Sequence, residues 1–489
     1  MKTRKTKKIM ALLLIFLLMV ASVPLLAFGA SLGLEDPSTG TGDIKMSVKD
    51  QGDTFKAYKL IDVTHEGGNT AYKWNDNFAI FFSLDRYGYN GKTPQDIINL
   101  SGADLQTFLQ KLKEYINTNS TDATSSSVYE GNKAVFKGLS EGSYAIYTDA
   151  TVSDAVYQYI LGSVQAKGNA DDKWDISDVD VDLKYNEVRM DVAEEGSAST
   201  AESVSATVGE TIEATLYFGI KTGYGTTTAT IEPQTESLVA QTAGVYAVKS
   251  DGSEQQLSSG TYTITDNKNL TVTEDQKTGL LNDGYAEIKF KVGLNQQLIY
   301  SGEGDEAVAS LKAGKQEVKG TVSNPLAQNS SVSVTATVFT YGFSFTNLDA
   351  VGQSKLVGAE FELYSDESLS NKIIGLSGMK MPGGLIEMGT STNDKEIVGL
   401  KPGKYYLKQT QAPNGYALNT DKLEIDITAP PTEAENYIKS GFKFFNTKMS
   451  DLPLTGGMGT TIFTITGIAL MVAAGVLFVV SKKRESDVK

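Results

Sequence analysis

The chain has 489 residues, 59 acidic and 44 basic side chains, a formal charge of −15, one histidine and no cysteine. Without thiols no disulfide can form, and a single imidazole, His65, excludes multi-histidine metal sites and makes a Ser-His-Asp machine a poor fit. The negative excess repels nucleic acid, and the length calls for about three domains rather than one.

The first thirty residues carry Lys2, Arg4, Lys5, Lys7 and Lys8, then an uncharged apolar run from Ile9 to Val20, then small residues at Ala27, Gly29 and Ala30. That order is a secretory signal peptide over residues 1–30, with cleavage expected after Gly29. The run is too short to span a bilayer.

Residues 31–186 open with the alternating segments DIKMSVKD and TFKAYKLIDVT, which predict strands. Thr93 and Pro94 start a helix, and Leu105, Phe108, Leu109, Leu112, Tyr115 and Ile116 repeat at three- and four-residue steps after Ser101. A helical insertion packed on a sheet is therefore expected. Thr118 to Ser127 reads as an exposed loop, after which KAVFKGLSEGSYAIYTD returns to strand periodicity.

From 187 to 341 the signs are almost all β, in ETIEATLYFGI, GTYTITD, AEIKFKV and SVSVTATVFT, with no helix competing. From 342 to 448 the segments FSFTNLD, AEFELYS, GKYYLKQT, KLEIDIT and FKFFNT recur at sandwich-like spacing. The fold class is mainly β: tandem immunoglobulin-like sandwiches, because a sheet with one apolar face needs a second layer.

Residues 449–489 close the chain. Gly459 to Val480 is 22 residues without a charge, about 33 Å as a helix, and Lys482, Lys483 and Arg484 follow in a basic tail, residues 481–489. This reads as a membrane span with a cytoplasmic tail, so the body faces outward. Setting aside the five basic residues of the first thirty, and the four basic and two acidic residues after Thr455, leaves 57 acidic against 35 basic side chains. The exported part is thus near −22.

Directly before the span stand Leu452, Pro453, Leu454, Thr455 and Gly456. With the span and basic tail they resemble the sorting signal of Gram-positive wall-anchored proteins. The resemblance implies that a sortase cysteine attacks the Thr455 carbonyl, Gly456 leaves with the span, and an amine resolves the acyl-enzyme. Trp174, Val179, Val181 and Lys184, in the run from Trp174 through DVDVDLKYN, look like the pilin motif, in which Lys184 would be the linking amine. The gap from Trp174 to Lys184 is one residue longer than the usual pattern, and Asp182-Leu183 replaces Tyr-Pro. On the bland reading Lys184 is a solvated lysine of an interdomain linker. Asp178, Asp180 and Asp182 either keep that ammonium charged, or suggest calcium, or form an exposed acidic edge, the commonest outcome for three carboxylates without a Gly-turned loop.

Residues 342–448 resemble the B-type domain of collagen-binding surface proteins through LVGAEFELYS, IVGLKPGKYYLKQTQAPNGYAL and FKFFNTK. Such domains often carry an internal Lys–Asn isopeptide bond, in which a buried neutral lysine attacks an asparagine amide polarised by a protonated acid. Here Asn347 stands in the lysine place and Gln409 in the glutamate place, leaving only Asn446 as the acceptor, so the domain is expected to lack the cross-link. Gly399, Gly403, Pro413 and Gly415 are expected to be turn residues. More faintly, residues 187–341 resemble the second domain of shaft pilins, with Asn324 as candidate acceptor, Glu213 or Glu232 as candidate acid, and Met190 where a lysine is usual. In the first domain Tyr147 stands where an acid would.

The resemblances together imply a structural, non-enzymatic subunit of a covalently polymerised pilus on the cell surface, anchored to peptidoglycan. Thr455 would join Lys184 of the next copy, with sortase, further copies and accessory pilins as partners. No cofactor, metal or nucleic acid is expected. The alternative is a wall-anchored adhesin or minor pilin with a host surface ligand and Lys184 idle.

Overall fold

The computed structural model describes residues 40–66, 69–150, 155–168, 174–181, 185–197, 199–301, 308–328, 331–380, 382–389, 393–428, 437–449 and 458–486. The proposed signal peptide, Lys184 and the LPLTG segment therefore lie outside the described residues. The chain divides into two compact units, one running to Tyr341 and including Gly399–Lys401, the other comprising Gly342–Val398 and Pro402–Lys489.

In the first unit, strand β1 (Thr41–Ser47) sits in a four-stranded sheet between Lys133–Ser140 and β2 (Val179–Val181), with Val128–Glu130 at the far edge. A second sheet has the order Asn69–Trp74, Thr54–Glu66, Gly142–Ala150, Ile160–Val164. Side-chain alternation divides its residues between two cores. Phe55 and Ala57 face the first sheet with Ile44, Met46 and Phe136. Tyr58 and Leu60 face the helix α1 (Gly102–Asn119), whose Phe108, Leu109, Leu112, Tyr115 and Ile116 are all buried.

The helical expectation holds in its details. Pro94–Ile98 starts behind a capping box in which Thr93 and Asp96 satisfy each other's backbone N–H groups. The expected loop from Thr118 is shorter than read, because α1 runs to Asn119 and closes on Ser120 at φ 50°. Beyond it Ser125–Ser126 pairs with Lys56 and Ala57.

Two sheets face each other over the next core. One has the order Glu254–Gln256, Leu238–Lys249, Tyr285–Gln296, Thr211–Gly219, β3 (Tyr185–Glu194), Ala155–Tyr157. The other contains, in spatial order, Ser203–Ser205, β8 (Ser331–Asp349), β7 (Gly314–Ser323), β4 (Thr227–Pro233), β6 (Asn269–Val272) and β5 (Thr263–Thr265), with β8 contributing its part before Gly342. Ile288, Phe290, Val292 and Leu294 alternate inward against Ile231, Val318 and Val338.

The reading that no helix competes in this stretch is corrected by α2 (Glu274–Asn282). Its cause is a Thr273–Gln276 capping box, hidden in sequence because the helix is only nine residues long and its apolar face is narrow.

The segment after β7 fastens the sandwich to the preceding layers. Gln328 donates its backbone N–H to the Tyr157 carbonyl at 2.9 Å and its Oε1 accepts from the Thr148 hydroxyl at 2.9 Å. Lys113 Nζ donates to the Gln328 carbonyl at 3.1 Å, and Gln110 to that of Pro325 at 2.6 Å.

The second unit holds a sheet of order Lys372–Ile373, Glu360–Tyr364, β9 (Lys404–Gln411), Lys422–Asp426. Its partner layer is the parallel pair of β8, from Gly342 onward, with β10 (Ile438–Asn446). Phe361 joins the layers edge-on, 5.1 Å from Phe345 and 4.9 Å from Phe444 between ring centres. Gly415 lies at φ 83° in the left-handed turn region, as a turn glycine should, whereas Gly399, expected in a turn, lies within the strand Lys395–Leu400. A 29-residue helix, α3 (Met458–Ser486), ends the described chain, and Phe463–Arg484 is long and apolar enough to cross a membrane, with mean hydropathy 2.5. The helix continues through the first residues of the basic tail.

Candidate linkage and anchor sites

Three strands bring Asn347, Gln409 and Asn446 together from positions far apart in the chain. Asn347 is on β8, Gln409 on β9 and Asn446 at the end of β10, and their residues are 0%, 1% and 0% exposed. Gln409 Nε2 donates to Asn446 Oδ1 at 2.8 Å, and Asn446 Nδ2 donates to Asn347 Oδ1. Gln409 Oε1 accepts the Asn419 backbone N–H at 3.0 Å. The three amides form one directed chain that ends on Asn347 Nδ2, a buried donor without a hydrogen-bond partner. An amide nitrogen is no nucleophile, and Gln409 has no acidic proton to give, so these three groups have no route to an amide bond. Intact mass of the exported part should accordingly show no loss of ammonia at Asn446.

The nearby carboxylate of Asp349 is committed elsewhere. Its Oδ1 accepts the Val351 and Gly352 backbone N–H groups at 2.7 Å, and its Oδ2 accepts the Tyr416 hydroxyl at 2.8 Å. The Gly352 bond first, then those of Tyr416 and Val351, hold its pKa below the usual carboxylate value. A folded pKa below the unfolded one means the contribution is full above the unfolded value, about 3.9, and is lost as pH falls through the folded value. Asp349→Ala should therefore lower stability at neutral pH and flatten the acid limb of a pH–stability profile measured by urea unfolding.

Asn324 is also fully buried, its Oδ1 accepting the Thr227 hydroxyl at 2.7 Å. The candidate acids are not brought to it. Glu213 pairs with Lys291 at 3.0 Å, and Glu232 with Lys268 at 3.0 Å, both on outward faces. Met190 is buried opposite Leu216, an apolar core residue. Sequence reading missed Lys277 on α2, 2% exposed, whose Nζ donates to the Gly225 carbonyl at 2.6 Å and pairs with Glu274 at 2.8 Å. Burial lowers its pKa. Its one sequence signal is the three-residue step to Leu280, which places both on the inner face.

In the first sheet layers Tyr147 is buried and donates to the Leu109 carbonyl at 2.9 Å; burial raises its pKa well above the ordinary phenol value. A buried acid does exist here, Asp53, unnoticed in sequence because it looks like a turn residue after Gly52. The Tyr157 hydroxyl donates to its carboxylate and accepts the Lys49 backbone N–H at 3.1 Å. Tyr157→Phe strips a hydrogen bond from a buried carboxyl group and should cost about 1–3 kcal/mol in urea unfolding.

The described strands on either side of Lys184 belong to two different sheets. β1 and β2 pair in parallel, Ile44 opposite Val179 and Met46 opposite Val181, so the half-buried Val179 and Val181 fix the end of the first layers. The backbone at Trp174 is in strand Trp174–Ile176. Three residues, 182–184, separate β2 from β3, where Glu187 pairs with Lys49 at 2.5 Å. The idea that Asp178 and Asp180 serve the Lys184 ammonium or a calcium ion meets a simpler arrangement. Asp178 pairs with Lys45 at 2.7 Å, which with the Asp43 backbone N–H lowers its pKa, and Asp180 pairs with Lys133. Among the described residues no group of three His, Cys, Asp or Glu side chains is arranged to hold a metal.

Residues 446–487 match the family of LPXTG cell wall anchor motifs. Residues 342–439 match SpaA, a prealbumin-like fold domain. The trypsin-resistant surface T6 protein of Streptococcus pyogenes is 24% identical over 272 residues, covering 40% of this chain and 48% of that protein. The chain thus spans about half the length of the curated relative it matches. Among solved structures, the T6 backbone pilin of Streptococcus pyogenes aligns at TM-score 0.49 and 16% identity, over 80% of this chain and 81% of that one. The major pilin SpaD of Corynebacterium diphtheriae aligns at TM-score 0.47 and 16% identity, over 84% and 98%.

Proposed function

We propose that this chain is the structural shaft subunit of a covalently polymerised surface pilus, in which a sortase joins Thr455 of one copy to Lys184 of the next. The observation that carries this reading is the wall anchor motif at residues 446–487, directly behind a prealbumin-like domain. The sequence position of Lys184 supports it: the residue falls between the strands Val179–Val181 and Tyr185–Glu194, at the junction of the first two proposed modules. The same reading divides the body into three modules, residues 31–186, 187–341 and 342–448.

The linkage is head-to-tail and does not close, which gives a fibre. The sortase cysteine takes the Thr455 acyl group with release of Gly456, and the Lys184 amine then displaces the thiolate to form the amide. Accessory pilins, a host surface ligand and peptidoglycan attachment of the last subunit belong to this proposal.

The test is an immunoblot of wall extracts comparing the native chain with Lys184→Ala and Thr455→Ala. A high-mass ladder lost in both variants is expected. A single anchored band that Lys184→Ala leaves unchanged would sink the shaft reading in favour of a wall-attached adhesin.

A further inference from the structure

The outer face of one sheet in the first unit carries a two-dimensional array of uncharged hydroxyl side chains. Five neighbouring strands, β8, β7, β4, β6 and β5, each contribute two small uncharged polar residues spaced two apart, nine bearing hydroxyls and one, Asn269, an amide, which puts them on one side of the sheet. The cross-strand register aligns them into two rows. One row runs Ser331, Ser323, Thr228, Thr271, Thr263. The next runs Ser333, Thr321, Thr230, Asn269, Thr265.

All ten are exposed or half-exposed, while the residues between them, such as Val322, Ala229 and Leu270, are in the core. Some members bond laterally, Thr321 with Ser333 at 2.9 Å and Thr230 to Asn269 at 3.1 Å. Charge resumes one row further, at Lys319 and Glu232. A depression of about 450 Å³ lies at the β8–β7–β4 end of the first row, lined by Thr226, Thr228, Ser323, Pro325 and Ser331.

The shape of the strip selects among occupants. Five strands about 4.8 Å apart make it roughly 20 Å long, whereas two rows two residues apart make it only about 7 Å wide. With side chains that is on the order of 300 Å², well below the roughly 800 Å² per partner of a stable protein–protein interface, so a second copy does not fit it. An extended peptide pairs through a strand edge rather than across a face. The absence of cations removes the means to hold an anionic polymer. A long, narrow, neutral strip of hydroxyls that both donate and accept, with threonine methyls and the exposed Pro325 ring as its apolar component, matches a linear neutral polysaccharide: hydroxyl edges meet the rows and a C–H face meets methyl and proline.

We infer that this face is a docking site for a linear neutral glycan lying across the five strands. The inference does not depend on the pilus reading, since it needs neither Lys184 nor Thr455.

The experiment is retention of the full-length, detergent-solubilised chain on immobilised neutral polysaccharides (cellulose, chitin, dextran, mannan) and on anionic polygalacturonate. The comparison is with the variant Thr228→Val, Thr230→Val, Thr271→Val, Thr321→Val, which keeps shape and branching but removes four hydroxyls. Retention on at least one neutral polymer, weakened about tenfold or more in the valine variant, is expected. A second variant with serine at the same four positions keeps the hydroxyls and should retain binding, which separates loss of the array from loss of fold. Retention on none of the neutral polymers, retention only on polygalacturonate, or equal retention by the valine variant would overturn the inference.

Discussion

Asn347→Lys combined with Gln409→Glu is expected to convert the amide chain of the second unit into a covalent bond. The lysine amine would lie against Asn446, which already accepts a hydrogen bond from the side chain at position 409 and donates one to that at 347. The site is free of water-exposed atoms at all three positions, so the amine is held neutral and the carboxylic acid protonated. The amine nitrogen then bonds Asn446 Cγ, the C–NH₂ bond breaks, and ammonia leaves with the protons relayed by the acid. The closed loop is about 100 residues, for which the chain-entropy model gives about 4.7 kcal/mol, or a rise of roughly 20 °C or more in the melting of this domain. Intact mass should fall by one ammonia, mapped to Asn446 by peptide analysis. Unchanged mass in a folded double variant would show that the three strands do not bring those groups into reacting geometry.

Asn446→Leu alone should be strongly destabilising. It removes the acceptor of the Gln409 amide and the donor to Asn347 Oδ1, leaving two further buried polar atoms unpaired beside Asn347 Nδ2, at about 1–3 kcal/mol each. Replacing all three amides by leucine-sized apolar residues removes the polar groups together, and should cost less than the single change. Calorimetry of the three proteins decides it. Equal losses in the single and triple variants would mean that the amides contribute by packing rather than by pairing.

Linear features were the most legible. The strand alternation of TFKAYKLIDVT, the Thr93-Pro94 start and the apolar steps of α1 are local codes, and each is met by the fold. The anchor signal is equally local, since its parts adjoin one another, and the family match falls on it. What sequence could not show is whatever depends on strand order. Asn347, Gln409 and Asn446 are separated by 62 and 37 positions in the chain and met only because β8 and β10 pair in parallel beside β9. They were reachable by family resemblance alone. The hydroxyl rows escaped notice for the same reason: each strand shows an ordinary pair of small polar residues, and only the register of five strands makes an array. Asp53 and Lys277 were missed because charge argues for solvent, and only a tertiary partner overrides that expectation. Helix α2 was missed because nine residues are too few for periodicity to stand out against a β background.

The parallel pairing of β8 with β10 has a mechanical consequence. Gly342 begins the second unit on one strand and Asn446 ends its last strand on the neighbour, with seven register pairs between Gly342↔Ile438 and Asp349↔Asn446. A pull between the membrane end of the chain and everything before Gly342 therefore draws two adjacent parallel strands from opposite ends. The ladder is loaded in shear, all its hydrogen bonds sharing the tension, instead of being unzipped one bond at a time. The buried amides sit at the far end of that ladder, at Asn347 and Asn446, where sliding by one residue would turn both side chains out of their pocket. A domain with no covalent staple across these strands thus still meets tension along its strongest axis.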